Sequence, residues 1–221
     1  MKIAYEKMEN VIEIGSDHVS SLVIENTGFM YRLLEDFRIT LNGEECGVVF
    51  SESDTPVQGS KAVSMITDFI GFSLNQKSLL TRIISELEKT ANEGVYYHTS
   101  QELLAYIENY IMELTLHVSC ELSCEKLNMQ NLLKSVGISI VDDYDSLEER
   151  LLAYMDLARD YEKKKLFIFV NLRSLVSYEN LELMMNTAIE REHRILLIDN
   201  VEYPRLRNEK RLIIDADLCE I

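Results

Sequence analysis

Two short apolar runs in the last third of the chain constrain its fold more than any other feature. The runs are LFIFV at 166–170 and ILLI at 195–198, and neither contains a polar residue. Continuous apolar runs of this length are typical of strands buried on both faces, as the strands of parallel sheets are. A helix with apolar residues at helical spacing is predicted between them over 178–192. Strand, helix and strand in this order form a βαβ unit and predict a mainly parallel sheet.

The first third of the chain and the stretch after residue 137 show the same alternation. Further strands are predicted at 11–14, 22–24, 47–50, 138–141 and 212–214, and a strand is predicted to begin the apolar stretch 63–72. A helix is predicted over 28–41, with Asn26 or Thr27 as its N-cap. Another is predicted from Asp145 or Ser146 to Lys163.

The middle of the chain has a different character. Leu and Ile recur at helical spacing over 79–87, and again from Leu103 to Leu122 over more than five turns. A short helix over 128–135 ends at Gly137, a residue that favours helix C-termini. We therefore predict an α/β head domain, formed by 1–72 and 138–221, that is interrupted by an all-helical insertion at 73–137.

Charge limits the classes of function. The chain has 221 residues and a net charge of −16, which excludes a protein that coats DNA with a basic surface all round. A localised basic face remains possible, and the insertion is the least acidic part of the chain. No apolar run approaches the roughly 18 residues needed to span a bilayer, and the N-terminus lacks a signal-peptide core. These features predict a cytoplasmic protein without membrane partners.

Motifs for catalysis are missing. The chain has no Gly-Lys dipeptide and so no phosphate-binding loop of the G-x-x-x-x-G-K-[ST] type, and it has neither G-x-G-x-x-G nor G-x-S-x-G. Asp199 follows the run 195–198 as a metal-binding acid follows its strand in ATPases. An Asp at such a position more often caps a turn. We therefore expect no enzymatic activity.

Two groups of side chains in the insertion are candidate metal ligands. Cys120 and Cys124 are four residues apart and would share a helix face together with His117, but buried, reduced side chains are favoured there over a metal site. Glu121 and Glu125 would also share a face, and their carboxylates together with backbone carbonyls can coordinate Ca²⁺. Solvated helix positions remain the alternative for these two acids.

The insertion also carries the candidate DNA contacts. Five cations lie in it or beside it: Lys77, Arg82, Lys89, Lys126 and Lys134. A few cations on one surface are enough to contact phosphates. Spacing alone favours ordinary solvated helix faces, with phosphate contact as the alternative.

Three motifs in order and at matching spacing resemble a known family. They are ITDFIGFSLN at 66–75, LLKSVGI at 132–138 and KKKLFIFVN at 163–171. Each motif is diffuse, but the combination resembles the small CRISPR-associated adaptation protein of type II-A systems over nearly the whole chain.

The resemblance implies a fold, an assembly and a role. The fold is an α/β head similar to P-loop ATPases without a working phosphate loop, together with a helical leg. The assembly is a ring-shaped homotetramer, ordered by Ca²⁺, through which double-stranded DNA passes from a free end without sequence selectivity. The role is non-catalytic: the ring helps the CRISPR integrase proteins to acquire spacers in antiviral defence and contacts the type II effector nuclease.

The resemblance also bears on the site residues. The acidic stretch before 132–135 supplies calcium ligands in that family, and its acids here are Glu121 and Glu125. Ser119, Ser123 and Lys126 stand where further acids are expected. The DNA-facing cations are not fixed by a family motif. A ring would reconcile acidity with DNA binding, because cations can line a bore while acids cover the outside.

Two other functions remain open at this point. One is a nucleotide-binding α/β enzyme with a degenerate phosphate site, which measurable ATP turnover would indicate. The other is an assembly factor that binds only proteins, which predicts no DNA binding even with Ca²⁺.

Overall fold

The computed structural model describes residues 1–221, and these form two compact units. One consists of Met1–Ser73 and Asp143–Ile221, and the other of Leu74–Asp142. We call the first the head unit and the second the helical unit. The sequence-based boundaries at 72/73 and 137/138 differ from these by one residue and by five.

The head unit is built on a five-stranded, fully parallel sheet. Its strands run in the order β6 (Val63–Ile66), β7 (Leu166–Val170), β8 (Ile195–Asp199), β3 (Val19–Ile24) and β9 (Glu209–Ile214). All four pairings are parallel. Every residue of β7 and β8 is buried, as expected for strands covered on both faces. The predicted mixed α/β fold with a mainly parallel sheet is therefore confirmed.

A small antiparallel sheet covers part of the head core. Its strands run in the order β2 (Ile12–Glu13), β1 (Lys2–Tyr5), β4 (Val48–Glu52) and β5 (Thr55–Pro56). Helix α1 (Thr27–Leu41) is capped by Asn26, whose side chain accepts a hydrogen bond from Phe29 N. Leu33 and Phe37 lie four residues apart on its buried stripe and join one apolar cluster with Phe50 of β4. Burying each such side chain stabilises the fold by roughly 1.5–3 kcal/mol.

Three helices complete the head unit: the short α2 (Gly59–Ala62), α6 (Leu147–Leu157) and α7 (Tyr178–Glu190). α6 continues as a π-helical turn over Ala158–Glu162, which ends at Lys163 in the left-handed conformation. Tyr154 of α6 packs edge-on against Phe167 of β7 with 6.1 Å between ring centroids. Ser146 and Ser177 cap α6 and α7 through side-chain hydrogen bonds.

The helical unit contains α3 (Lys77–Asn92), α4 (Tyr97–Thr115) and α5 (Met129–Ser135), with a 3₁₀ turn over Gly94–Tyr96 between the first two. The predicted strand at 138–141 is wrong. The Asn75 side chain donates to Ile140 O and accepts from Ile140 N, so it takes the place of a neighbouring strand. No helix of the structure is both long enough and apolar enough to cross a membrane.

The predicted continuous helix from Leu103 to Leu122 is also wrong. α4 ends at Thr115, and the backbone N–H groups of the next three residues bond to carbonyls three residues back, which tightens the chain into turns. Residues 119–126 make no backbone–backbone hydrogen bond. The pattern of apolar residues at helical spacing therefore extends to Leu122, although the helix itself ends at Thr115.

Candidate nucleic-acid interface

The five cations predicted to contact DNA all lie in the helical unit and all have exposed side chains. Lys77 begins α3, Arg82 and Lys89 follow on the same helix, Lys126 precedes α5, and Lys134 lies near the end of α5. The two residues in last turns, Lys89 and Lys134, also meet the negative end of a helix dipole. Those two positions therefore have a structural explanation as well.

The three cations of α3 lie on two different faces of the helix. Seven residues are almost two turns, so Arg82 and Lys89 share one face and lie about 10 Å apart along the axis. Lys77 precedes Arg82 by five residues, which places it about 140° away around the helix. The structure thus brings Arg82 and Lys89 onto one face and places Lys77 on another.

The charges of these cations are not neutralised within the protein. None of the five lies within ion-pair distance of a carboxylate. Lys134 Nζ donates only to the amide oxygen of Gln130, at 3.3 Å. An exposed ammonium or guanidinium without a carboxylate partner is available to a phosphate oxygen.

Lys126 has a distinct environment. It lines a cavity of about 340 Å³ in the helical unit, together with Glu88, Asn92, Gln101, Glu108 and Asn128 among other residues. Glu108 Oε1 accepts a hydrogen bond from Leu127 N at 2.9 Å, which ties the segment before α5 to α4. Because two carboxylates share this cavity with it, Lys126 is the least suited of the five to contact phosphate.

The structure does not form a calcium site from the predicted ligands. Glu121 and Glu125 are exposed in the irregular segment after α4, so their spacing no longer implies a shared helix face. No group of three or more His, Cys, Asp or Glu side chains suited to a metal occurs in the structure. Calcium takes six to eight oxygen ligands, and two carboxylates fall short of that number. Calcium binding stays a prediction for experiment.

The other side chains of this segment differ from expectation. Cys120, Cys124 and His117 are exposed, whereas sequence reasoning favoured buried positions for all three. The cause is the end of α4 at Thr115, because the helix face that would have buried them does not exist. All four cysteines are free thiols.

The connection after β3, where a nucleotide-binding loop would lie, is too short to form a phosphate cradle. Only Glu25 and Asn26 separate β3 from α1, and the Asn26 side chain already caps the helix. A phosphate cradle needs a longer glycine-rich loop whose backbone N–H groups point at the ligand. A carboxylate at Glu25 would in addition repel phosphate.

Asp199 belongs to a buried ion network rather than to a turn. Arg173 Nε lies 3.1 Å from Asp199 Oδ2, and Arg173 Nη2 lies 3.0 Å from Glu209 Oε2. Arg211 Nε lies 2.7 Å from Glu209 Oε1, and Arg211 Nη1 lies 2.9 Å from Glu202 Oε1. Burial raises the pKa of Asp199 to about 6, against the opposing effect of Arg173.

Sequence reasoning missed this network. The expectation that Asp199 caps a turn is wrong, because its carboxylate pairs with Arg173 from the turn after β7. One signal was available: an acid that ends an otherwise apolar strand is buried, and a buried acid needs a cation. The sequence alone does not say which of the 22 basic residues supplies that cation.

The fold and these sites define an α/β protein with a helical insertion, without a phosphate loop, whose unpaired cations lie partly on the insertion. A family model described as CRISPR-associated protein (Cas_Csn2) matches residues 41–218. That is well over half of the chain, so the chain belongs to the Csn2 family. The resemblance to the type II-A CRISPR-associated adaptation protein is thereby confirmed.

Individual relatives agree with the family. The chain is 24% identical over 175 residues to CRISPR-associated protein Csn2 of Enterococcus faecalis, and the match covers 77% of each chain. It is 23% identical over 154 residues to the protein of the same name from Streptococcus agalactiae, covering 69% of this chain and 68% of that one. Among solved structures, it is similar to one described as an ABC transporter ATP-binding protein from Pyrococcus furiosus, with a TM-score of 0.40 and 10% identity over 96% of this chain and 97% of that one.

Proposed function

We propose that this Csn2 family member is a non-catalytic, sequence-independent binder of double-stranded DNA in CRISPR spacer acquisition. Four copies form a ring, which a DNA duplex enters from a free end, in the cytoplasm and in support of antiviral defence. Its protein partners are the CRISPR integrase proteins and the type II effector nuclease. Family membership supports the CRISPR role.

The observation that carries the DNA proposal is the set of unpaired cations on the helical unit. An acidic chain of net charge −16 has many carboxylates with which to neutralise its cations, yet Lys77, Arg82, Lys89, Lys126 and Lys134 lack one. Phosphate contacts fix a protein on the duplex without reading bases. Cations of this kind therefore suit binding without sequence selectivity.

The ring proposal is supported by an exposed apolar face of α4. Its members recur at spacings of three and four residues: Leu103, Tyr106, Tyr110 and Leu114, which are 45, 72, 56 and 49% exposed. Contiguous exposed apolar side chains mark interaction sites more often than free surface. Burial of this face between copies of the chain would remove it from water.

The absence of a phosphate cradle supports a role without nucleotide hydrolysis. The connection from β3 to α1 is two residues long and carries an acid, Glu25. Retention of DNA then depends on the closed ring and on contacts to the backbone.

Charge reversal tests the DNA proposal. Replacement of the five cations of the helical unit by Glu is expected to abolish binding to linear duplex. A matched pair separates local contacts from net charge: Lys77→Glu/Arg82→Glu/Lys89→Glu on α3 against Arg32→Glu/Arg38→Glu/Lys61→Glu on the head unit. Only the α3 variant is expected to lose affinity. Intact binding by the five-residue variant would show that these residues do not contact DNA.

A further inference from the structure

The loop 200–208, which joins β8 to β9 in the head unit, is held along nearly its whole length. Buried charges fix two of its residues: Arg211 pairs with the Glu202 carboxylate, and Arg173 Nη1 donates to Pro204 O at 3.3 Å. Leu206 N donates to Glu209 Oε2 at 2.8 Å, and the Leu206 side chain is buried. The middle of the loop is thus attached to the ion network beneath it.

Further hydrogen bonds fix the rest of the loop. Asn200 N donates to the Asn171 side chain at 3.2 Å, and the Tyr178 hydroxyl donates to Arg205 O at 3.1 Å. Arg207 N donates to the Glu182 carboxylate at 3.2 Å, and Asn208 O accepts from Val19 N. The backbone conformation of the loop is therefore set before any ligand arrives.

Two arginine side chains project from this fixed backbone. Arg205 and Arg207 are exposed, and neither guanidinium lies within ion-pair distance of a carboxylate. The acids around them are otherwise engaged: Glu202 pairs with Arg211, Glu209 pairs with Arg173 and Arg211, and Glu182 accepts the Arg207 backbone N–H. Asp17, the acid near Lys210, is hydrogen-bonded to His18, and this hydrogen bond is the main cause that lowers the pKa of the Asp17 carboxyl.

The burial of the network has a cost that calls for an explanation. Taking several charged groups out of water is expensive, and well-packed apolar side chains often stabilise a fold as well or better. What the network provides is a single loop conformation that presents two guanidiniums. A guanidinium binds phosphate oxygens in a planar, two-pronged geometry, and a fixed loop loses little entropy on binding.

We propose that the loop 200–208 is a second DNA-contact surface, in which Arg205 and Arg207 bind the phosphate backbone of double-stranded DNA and the buried arginines hold the loop in place. This rests on the proposed function, because the ligand is the same duplex. It adds a contact that sequence reasoning, which placed all cationic contacts in or beside the insertion, did not include.

The salt dependence of binding tests this assignment. Each phosphate contact contributes about 0.9 to the slope of log K against log salt concentration for duplex DNA. Arg205→Ala/Arg207→Ala should therefore lower the slope by about 2 relative to the unaltered protein. Arg205→Lys/Arg207→Lys should keep most of the slope, because a lysine ammonium also neutralises a phosphate. Thermal unfolding of each variant confirms that these exposed substitutions leave the fold intact.

The control is Arg32→Ala/Lys61→Ala, which removes the same charge from two exposed, unpaired positions of the head unit. Its slope should match that of the unaltered protein. An unchanged slope for the Arg205/Arg207 variant, or an equal fall in the control, would overturn the assignment while DNA binding itself stands. No binding by the unaltered protein at any salt concentration would instead overturn the proposed function.

Discussion

Arg173 and Asp199 form an ion pair in the interior of the head unit, with 3.1 Å between Nε and Oδ2. The two side chains are 3% and 1% exposed. Asp199 ends a central strand, β8, and Arg173 lies in the turn after β7, so the pair joins the ends of two neighbouring parallel strands. The next loop, 200–208, is attached to this pair through Pro204, whose carbonyl accepts from Arg173.

The buried Asp199 predicts an unusual pH dependence of stability. Its pKa is raised to about 6 in the folded protein, above the ordinary value of 3.8. Between these values the folded state binds a proton that the unfolded state does not, so this group raises the free energy of unfolding as the pH falls from about 7 to 4. Urea unfolding of the protein and of Asp199→Asn at pH 7.5, 6.0 and 5.0 checks this. The free energy of unfolding of the unaltered protein should rise relative to that of Asp199→Asn as the pH falls. A difference between the two that stays constant with pH would contradict the account.

Glu52 predicts the opposite behaviour at lower pH. Hydrogen bonds from Lys165 and Arg194 lower the pKa of this carboxyl from 4.5 to about 2. Its contribution to stability is therefore present above pH 4.5 and is lost as the pH falls toward 2. Between pH 4.5 and 2, the stability of Glu52→Gln should fall less steeply than that of the unaltered protein. An acid titration followed by circular dichroism measures this. The control Glu44→Gln changes an exposed acid outside any ion pair and should behave as the unaltered protein does. Identical acid profiles for Glu52→Gln and the unaltered protein would refute the prediction.

The segment after α4 carries the predicted calcium ligands, Glu121 and Glu125. Residues 119–126 make no backbone–backbone hydrogen bond, so a rearrangement of this segment around an ion would break none. We expect Ca²⁺ to bind, as measured by titration calorimetry, and Glu121→Gln/Glu125→Gln to weaken binding at least tenfold. The control Glu86→Gln/Glu93→Gln removes the same charge elsewhere in the helical unit. Equal calcium affinity in both variants would show that the ligands lie elsewhere.

The exposed face of α4 predicts an assembly interface. Tyr106→Glu/Tyr110→Glu places two charges on that face and should reduce the assembly below four copies of the 25.6 kDa chain. Light scattering coupled to size-exclusion chromatography gives the mass. Tyr31→Glu, at a 66% exposed position of the head unit, is the control and should leave the mass unchanged. If the α4 variant keeps the mass of four copies, the face is not an interface.

The parallel sheet was predictable from the sequence because strands that are buried on both faces consist of apolar residues throughout. The runs 166–170 and 195–198 are apolar throughout, and both are strands in the structure. Helical spacing was less reliable where a helix stops for reasons outside the pattern. From Leu103 the pattern continues to Leu122, but the chain leaves the helix after Thr115.

For the candidate site, the sequence predicted where the cations of α3 lie but not what they bind. A charged residue off the apolar stripe of a helix lies in solvent, and the three cations are exposed as expected. Contact with DNA stays a prediction. Partners distant in sequence were beyond reach: Asn75 with Ile140, and Arg173 with Asp199, are set by the tertiary fold. Arg205 and Arg207 were not selected from the sequence for the same reason. Only the tertiary contacts that fix the backbone of loop 200–208 distinguish them from other exposed arginines.

The central claim is that the protein forms a closed ring and that a DNA duplex enters this ring from a free end. The most direct measurement is gel-shift binding to matched linear and covalently closed circular duplexes, with Ca²⁺ or with chelator, at two salt concentrations. The account predicts binding to linear DNA alone, stronger with Ca²⁺ and weaker at higher salt. Equal binding to circles would contradict entry from an end and indicate an open surface groove, and no binding to either would leave an assembly factor that binds only proteins.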